Sequence, residues 1–307
     1  MTKNQAIGVF DSGIGGLTVV NSLEKELPHE QFIYFGDTLH MPYGDKSATQ
    51  ILRYSEKIVE FLLSKKVKLI VIACNSASAN AASSLRAQYW QQVHIMGVIR
   101  PVIQSIIRKG IQKIGIIGTE TTIQSNIYPS LIKEYGADIE VYQKATPLLA
   151  PMIEAGLSGS EPLNETLREY LSDEQFTDKE AILLACTHYP LVADKVNEFF
   201  GHTKQILDNA TPLANEVRKY LTEHDLLRPE HEISMEGNYR NEFYVSKYST
   251  SFQNTVQTFY NGPIDIQQIE TVEYQQLKLF FPTSYDSILP FDPFAMTFYL
   301  VTRYEEY

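Results

Sequence analysis
Short β-branched or apolar runs alternate with stretches of helical period along the first two thirds of the chain, and this alternation restricts the fold more than any other feature. The runs are Ile7 to Phe10, Phe32 to Phe35, Leu69 to Ala73, Ile95 to Val98, Ile114 to Ile117 and Ile182 to Ala185. Between them, Ile14, Leu17, Val20, Leu23 and Leu27, and then Ile51, Tyr54, Ile58 and Phe61, recur at three or four residues. Such a chain builds βα units with right-handed crossovers, so the expected class is α/β with parallel sheets and flanking helices.

The plan repeats. A run enters Asp11-Ser12-Gly13 and a later one ends at Ala73-Cys74-Asn75-Ser76; another enters Gly118-Thr119 and a later one ends at Ala185-Cys186-Thr187-His188. Two similar lobes facing each other across a cleft, each bringing one thiol, follow from that repeat. The lobes are expected as residues 1–98 plus 208–270 and residues 99–207. Beyond Glu230 the sequence turns aromatic-rich and reads as extended (Phe243, Tyr244, Tyr248, Phe252, Phe259, Tyr260), and 271–307 reads as an aromatic C-terminal extension of open role.

The net charge of −11 argues against bulk electrostatic binding of nucleic acid or anionic membrane, so an anionic ligand needs local donors. No apolar run has the length of a membrane span, and the start shows no signal-peptide core, so a cytoplasmic location is expected. With only Cys74 and Cys186 present and far apart, there is neither a disulfide framework nor a C-x-x-C motif, and no metal site is expected.

A thiol at the carboxyl end of a parallel strand lies where open α/β sheets hold ligands. The N–H groups of a following helix are expected to lower its pKa from about 8.5. Taken singly, each cysteine could equally be a small buried hydrophobe; two in matching settings favour chemistry. Hydroxyl and amide groups beside the thiols suit a ligand carrying carboxylates and an ammonium group. Gly13-Ile14-Gly15-Gly16-Leu17-Thr18 has Thr18 where a dinucleotide fingerprint needs its last glycine, which argues against a nucleotide.

Taken in order, Gly8 to Thr18, Gly36-Asp37 with Pro42-Tyr43-Gly44, Cys74-Asn75-Ser76, Gly118-Thr119 with Thr122 and Ser125, Glu154-Ala155-Gly156 and Cys186-Thr187-His188-Tyr189-Pro190 closely resemble the cofactor-independent aspartate and glutamate racemases, the glutamate racemases above all. The resemblance runs from about residue 6 to about 270. It implies an isomerase that interconverts L- and D-glutamate without a cofactor and supplies peptidoglycan synthesis. Cys74 and Cys186 would be the acid/base pair, with Asp11, His188 and Glu154 assisting. Asp11, Ser12, Tyr43, Gly44, Asn75, Ser76, Thr119, Thr187 and His188 would contact the substrate. Relatives are often homodimers, and the same is expected here. Ser76 stands where threonine is usual, Ala185 where glycine is, Thr146 where many relatives carry a third cysteine, and Arg100 where an acid is common. Aspartate as substrate, a one-thiol isomerase or decarboxylase, and a non-catalytic amino-acid binder are the competing readings.

Overall fold
A computed structural model describes residues 1–229, 241–248, 250–262 and 269–271. The chain opens with β1 (Ile7–Asp11), α1 (Leu17–Glu26), β2 (Phe32–Gly36), α2 (Ala48–Ser64), β3 (Leu69–Ile72), α3 (Asn75–Asn80), α4 (Ala82–Tyr89) and β4 (His94–Gly97). It continues through α5 (Ile99–Arg108), β5 (Lys113–Gly118), α6 (Glu120–Gln124), α7 (Ile127–Glu134), β6 (Glu140–Ala145), α8 (Leu149–Glu154), α9 (Glu161–Leu171), β7 (Ala181–Ala185), α10 (Ala193–Phe199) and β8 (Gln205–Leu207). It closes with α11 (Ala210–Glu223), β9 (Glu242–Val245), α12 (Thr250–Phe259) and β10 (Ile269–Thr271).

Two parallel sheets result, ordered β10-β9-β2-β1-β3-β4 and β6-β5-β7-β8. In each, an early strand lies at the centre with its successors on both sides. The end of β1 therefore lies beside the end of β3, and the end of β5 beside that of β7. This geometry puts Asp11 next to the Cys74 turn and Thr119 next to the Cys186 turn, at the carboxyl edges where the strand order reverses.

The central strands are buried on both faces, as parallel strands covered by helices must be. Alternate residues serve opposite layers: Ile7, Val9, Leu69 and Val71 join one core, while Phe10, Ile70 and Ile72 join the α2 side with Ile51, Ile58 and Leu62. Helix α2 starts at a capping box, Ser47 accepting from the Gln50 N–H while the Gln50 side chain returns to the Ser47 N–H.

One expectation is corrected by the fold, and two strands were not anticipated. The region after Glu230 is not extended throughout: Glu242–Val245 extends the first sheet, but Thr250–Phe259 is helical. Strands β6 and β8 escape the sequence pattern, being a half-exposed edge carrying Glu140 and Lys144, and a run of only three residues. The aromatic extension, apart from Thr271 at its start, lies outside the described residues.

Candidate active site
Ala73 and Cys74 leave β3, and the Cys74 sulfur caps α3, accepting from the Ala77 N–H at 3.4 Å. Cys186 leaves β7 in the other sheet and is followed by a short 3-10 turn at Tyr189–Val192. Both thiols are buried, and both line one cavity of about 30 Å³. Ser12, Tyr43, Gly44, Asn75, Ser76, Thr119, Glu154, Thr187 and His188 line it with them. Of the residues proposed from sequence, only Asp11 is not on this wall: it is fully buried one layer behind.

From that position the Asp11 carboxylate accepts from the Gly13 N–H at 3.0 Å and, across the lobe boundary, from the Thr187 hydroxyl at 3.4 Å. Further bonds join the lobes around the cavity. Ser76 and Thr119 share a hydroxyl pair at 2.8 Å, Asn75 Nδ2 donates to the Tyr128 hydroxyl at 3.0 Å, and the Thr18 hydroxyl donates to the Thr187 carbonyl at 3.0 Å. Two glycines permit this closeness. A Cβ on Gly15 would lie 2.5 Å from Thr187 Oγ1, and one on Gly44 would lie 2.8 Å from the Thr119 Cβ. Gly15 and Gly44 thus serve contact between segments of the two sheets.

The electrostatics contradict one expectation. Both thiols are raised in pKa: burial, then the negative Asp11, pushes Cys74 up to about 12 against the opposing Ala77 and Ser12 donors. Burial likewise drives Cys186 well above its ordinary range, outweighing the His188 backbone N–H and reinforced by Cys74, Asp11 and Glu154. Helix-type donors are present at Cys74, but desolvation exceeds them. Burial also raises Asp11, against N–H groups of Gly13, Gly16 and Ser12. Burial and the nearby Asp11 bring Glu154 up to about 7, while burial alone takes His188 down to about 4. His188 is therefore a neutral imidazole at physiological pH, and its 3.7 Å approach to Glu154 is not an ion pair there. Its Nδ1 lies 3.7 Å from the Cys186 sulfur and 3.4 Å from the Thr187 hydroxyl.

Asn75 Oδ1 and His188 Nε2 are buried without a hydrogen-bond partner among the described residues. Paired polar groups are the rule in protein interiors, and both residues line the cavity. At about 30 Å³ the cavity has room for about one water. No group of three or more His, Cys, Asp or Glu among the described residues could hold a metal ion, and no described helix is long and apolar enough to cross a membrane.

Sequence reading missed the layer that supports Tyr43. Its hydroxyl donates to Asp37 at 2.6 Å; the same fully buried carboxylate is 2.9 Å from His40 Nδ1 and accepts from the Ser246 hydroxyl at 2.7 Å. Gly36-Asp37 stood in the recognised pattern, but its partner Ser246 is distant in the chain. Met41 and Ala150 also line the cavity and carried no sequence signal.

A parallel α/β protein with two sheets, each delivering a thiol from a strand end to one small shared cavity, has the layout of enzymes that work on a small ligand held between two sheets. The sequence profile of the Asp/Glu/Hydantoin racemases matches residues 7–217, and that of a family of unknown function matches residues 202–307. The chain is 39% identical over 269 residues to a glutamate racemase of Geobacter metallireducens, covering 86% of this chain and 96% of that one. Among solved structures it resembles glutamate racemase from Francisella tularensis in complex with D-glutamate, at a TM-score of 0.81 and 32% identity, over 89% of this chain and 98% of that one. Glutamate racemase from Thermus thermophilus in complex with β-chloro-D-alanine matches with a TM-score of 0.78 and 34% identity, over 90% and 99%. The chain is a member of the Asp/Glu/Hydantoin racemase family.

Proposed function
We propose that this chain is a glutamate racemase that interconverts L- and D-glutamate by exchanging the Cα proton between Cys74 and Cys186, without a cofactor. The observation that carries this reading is that thiols from separate sheets line a single cavity. Racemisation removes a proton from one face of Cα and returns one to the other, so one cysteine starts as thiolate and the other as thiol, and the roles exchange with direction.

The raised thiol pKa values bear on this chemistry in two ways. Thiolate is scarce in the empty site, but once formed it is a stronger base towards a weakly acidic Cα–H. The substrate ammonium group brings a positive charge that favours thiolate. Asp11 acts on Cys74 through its charge, and His188, with Nδ1 3.7 Å from the Cys186 sulfur, is the neighbour placed to exchange a proton with that thiol. The two sulfurs titrate as a coupled pair. Ser12, Tyr43, Gly44, Asn75, Ser76, Thr119 and Thr187 are the proposed substrate contacts, their donors holding the carboxylates and the charge that develops at the α-carboxylate. Glu154, with its pKa near 7, is proposed as an assisting group at the ammonium side.

The lobes proposed to part and close are 1–98 plus 208–270 and 99–207. Supply of D-glutamate to peptidoglycan synthesis in the cytoplasm, by a homodimer, completes the proposal. Circular dichroism of L-glutamate with purified protein and no added cofactor tests it: the signal decays to zero. L-Aspartate, one methylene shorter, reacts more slowly, since a methylene is worth about 1–3 kcal/mol in a simple pocket. A persistent glutamate signal overturns the proposal, and an equal or faster aspartate reaction overturns the choice of substrate.

A further inference from the structure
His188 holds its Nδ1 3.7 Å from the Cys186 sulfur. The torsion that turns an imidazole about its own axis is broad, so nothing intrinsic to histidine keeps that nitrogen aimed at a neighbour. The Thr187 hydroxyl meets Nδ1 at 3.4 Å, and packing adds two walls. On one side the Gly15 backbone comes so close that a Cβ there would be 2.6 Å from His188 Cε1 and Nδ1. On another, the ring of Phe259 meets the imidazole edge-on, with centroids 5.2 Å apart and planes at 77°.

Phe259 comes from the far end of the described chain. It ends α12 and is 1% exposed. Its place is fixed from α1: Asn21 Nδ2 donates to the Phe259 carbonyl at 2.8 Å, while Asn21 Oδ1 accepts from the Asn261 N–H at 3.0 Å. Helix α1 also starts just after Gly15, so one helix sets both walls.

We infer that Phe259, held by Asn21, is a positioning residue that keeps the His188 imidazole aimed at Cys186 and so supports one of the two proton transfers selectively. The inference rests on the two-thiol racemase reading. At Cys74 the sulfur is met by the Ala77 N–H and by Ser12 instead, with Asp11 nearby. Loosening Phe259 therefore hinders the Cys186 transfer and leaves the Cys74 transfer in place.

The test uses full-length Phe259→Leu, which keeps apolar bulk but removes the ring, and Asn21→Ala, which releases Phe259 without touching the cavity. Initial rates are measured with L- and D-glutamate, each with hydrogen or deuterium at Cα, and thermal unfolding is recorded alongside. For Phe259→Leu, kcat falls on the order of tenfold, as a misplacement of a supporting group requires. The primary isotope effect rises for the enantiomer whose Cα–H faces Cys186 and falls towards one for the other; Asn21→Ala shows the same asymmetry more weakly. A variant merely less folded loses rate equally in both directions with isotope effects unchanged. Symmetric or unchanged isotope effects in both variants, beside an active wild-type enzyme, overturn this inference alone. A wild-type protein that neither racemises glutamate nor exchanges its Cα proton overturns the racemase reading itself.

Discussion

Gly15→Ala probes lobe closure with the smallest possible change. The added methyl would start 2.5 Å from Thr187 Oγ1 and 2.6 Å from His188 Cε1 and Nδ1, whereas ordinary Cβ contacts lie at 3.4–4 Å. Something must move by about 1 Å, and overpacking of this kind costs about 1–3 kcal/mol. Neither neighbour yields freely: the Thr187 hydroxyl is tied to Asp11 and its carbonyl to Thr18, and His188 is backed by Phe259. On the proposed parting of the lobes the strain is confined to the closed arrangement, because Thr187 and His188 follow a strand of the second sheet while Gly15 follows β1 of the first. The expected result is a fall in kcat/KM of about 5- to 150-fold, the ratio equivalent to that energy. It is measured by circular dichroism of glutamate, with a thermal midpoint close to wild type because the lobes themselves keep their packing. A variant within twofold of wild-type kcat/KM would refute the claim that lobe contact at Gly15 is part of the working state.

Two further predictions concern buried carboxyl groups. Glu154 has a folded pKa of about 7 against 4.5 unfolded, so the folded state binds the extra proton between these values and wild-type stability contributed by this group declines as pH rises from 4.5 to 7. Glu154→Gln removes that decline, and its urea unfolding free energy relative to wild type improves by up to about 3 kcal/mol between pH 5 and pH 8; a constant difference across that range would contradict the assignment. Asp37→Ala removes the acceptor of the buried Tyr43 and Ser246 hydroxyls and lowers folding stability by about 1–3 kcal/mol. Its KM for glutamate rises as the Tyr43–Gly44 turn loses its anchor, and a wild-type KM would show that Asp37 supports the fold but not the site.

The parts of this architecture legible in sequence are those governed by local pattern. β1, β3, β5 and β7 are continuous apolar runs because helices cover both faces of their sheets, and their ends carry Asp11, Cys74, Thr119 and Cys186. Strand β6 stayed hidden because an edge needs no such run, and α12 because its sequence mixes Thr, Gln and Asn with two Phe residues. The thiol pKa shifts were read with the wrong sign: local donors are visible in sequence, whereas the burial that overrides them depends on the whole fold. Asp11 was recognised as a member of the site, but its depth was not. The supports at Asp37 and Phe259 depend on partners in distant segments, Ser246 and His188, which no local pattern connects.

Deuterium uptake at Cα, followed by proton NMR in heavy water for the Cys74→Ser and Cys186→Ser variants against each enantiomer of glutamate, tests the central claim most directly. Each variant is expected to lose racemisation while its surviving thiol still exchanges the Cα proton of one enantiomer with retention, Cys74→Ser acting on one enantiomer and Cys186→Ser on the other. Exchange of the same enantiomer by both variants, or racemisation near the wild-type rate by either, would contradict a pair of sulfurs acting from opposite faces of one carbon.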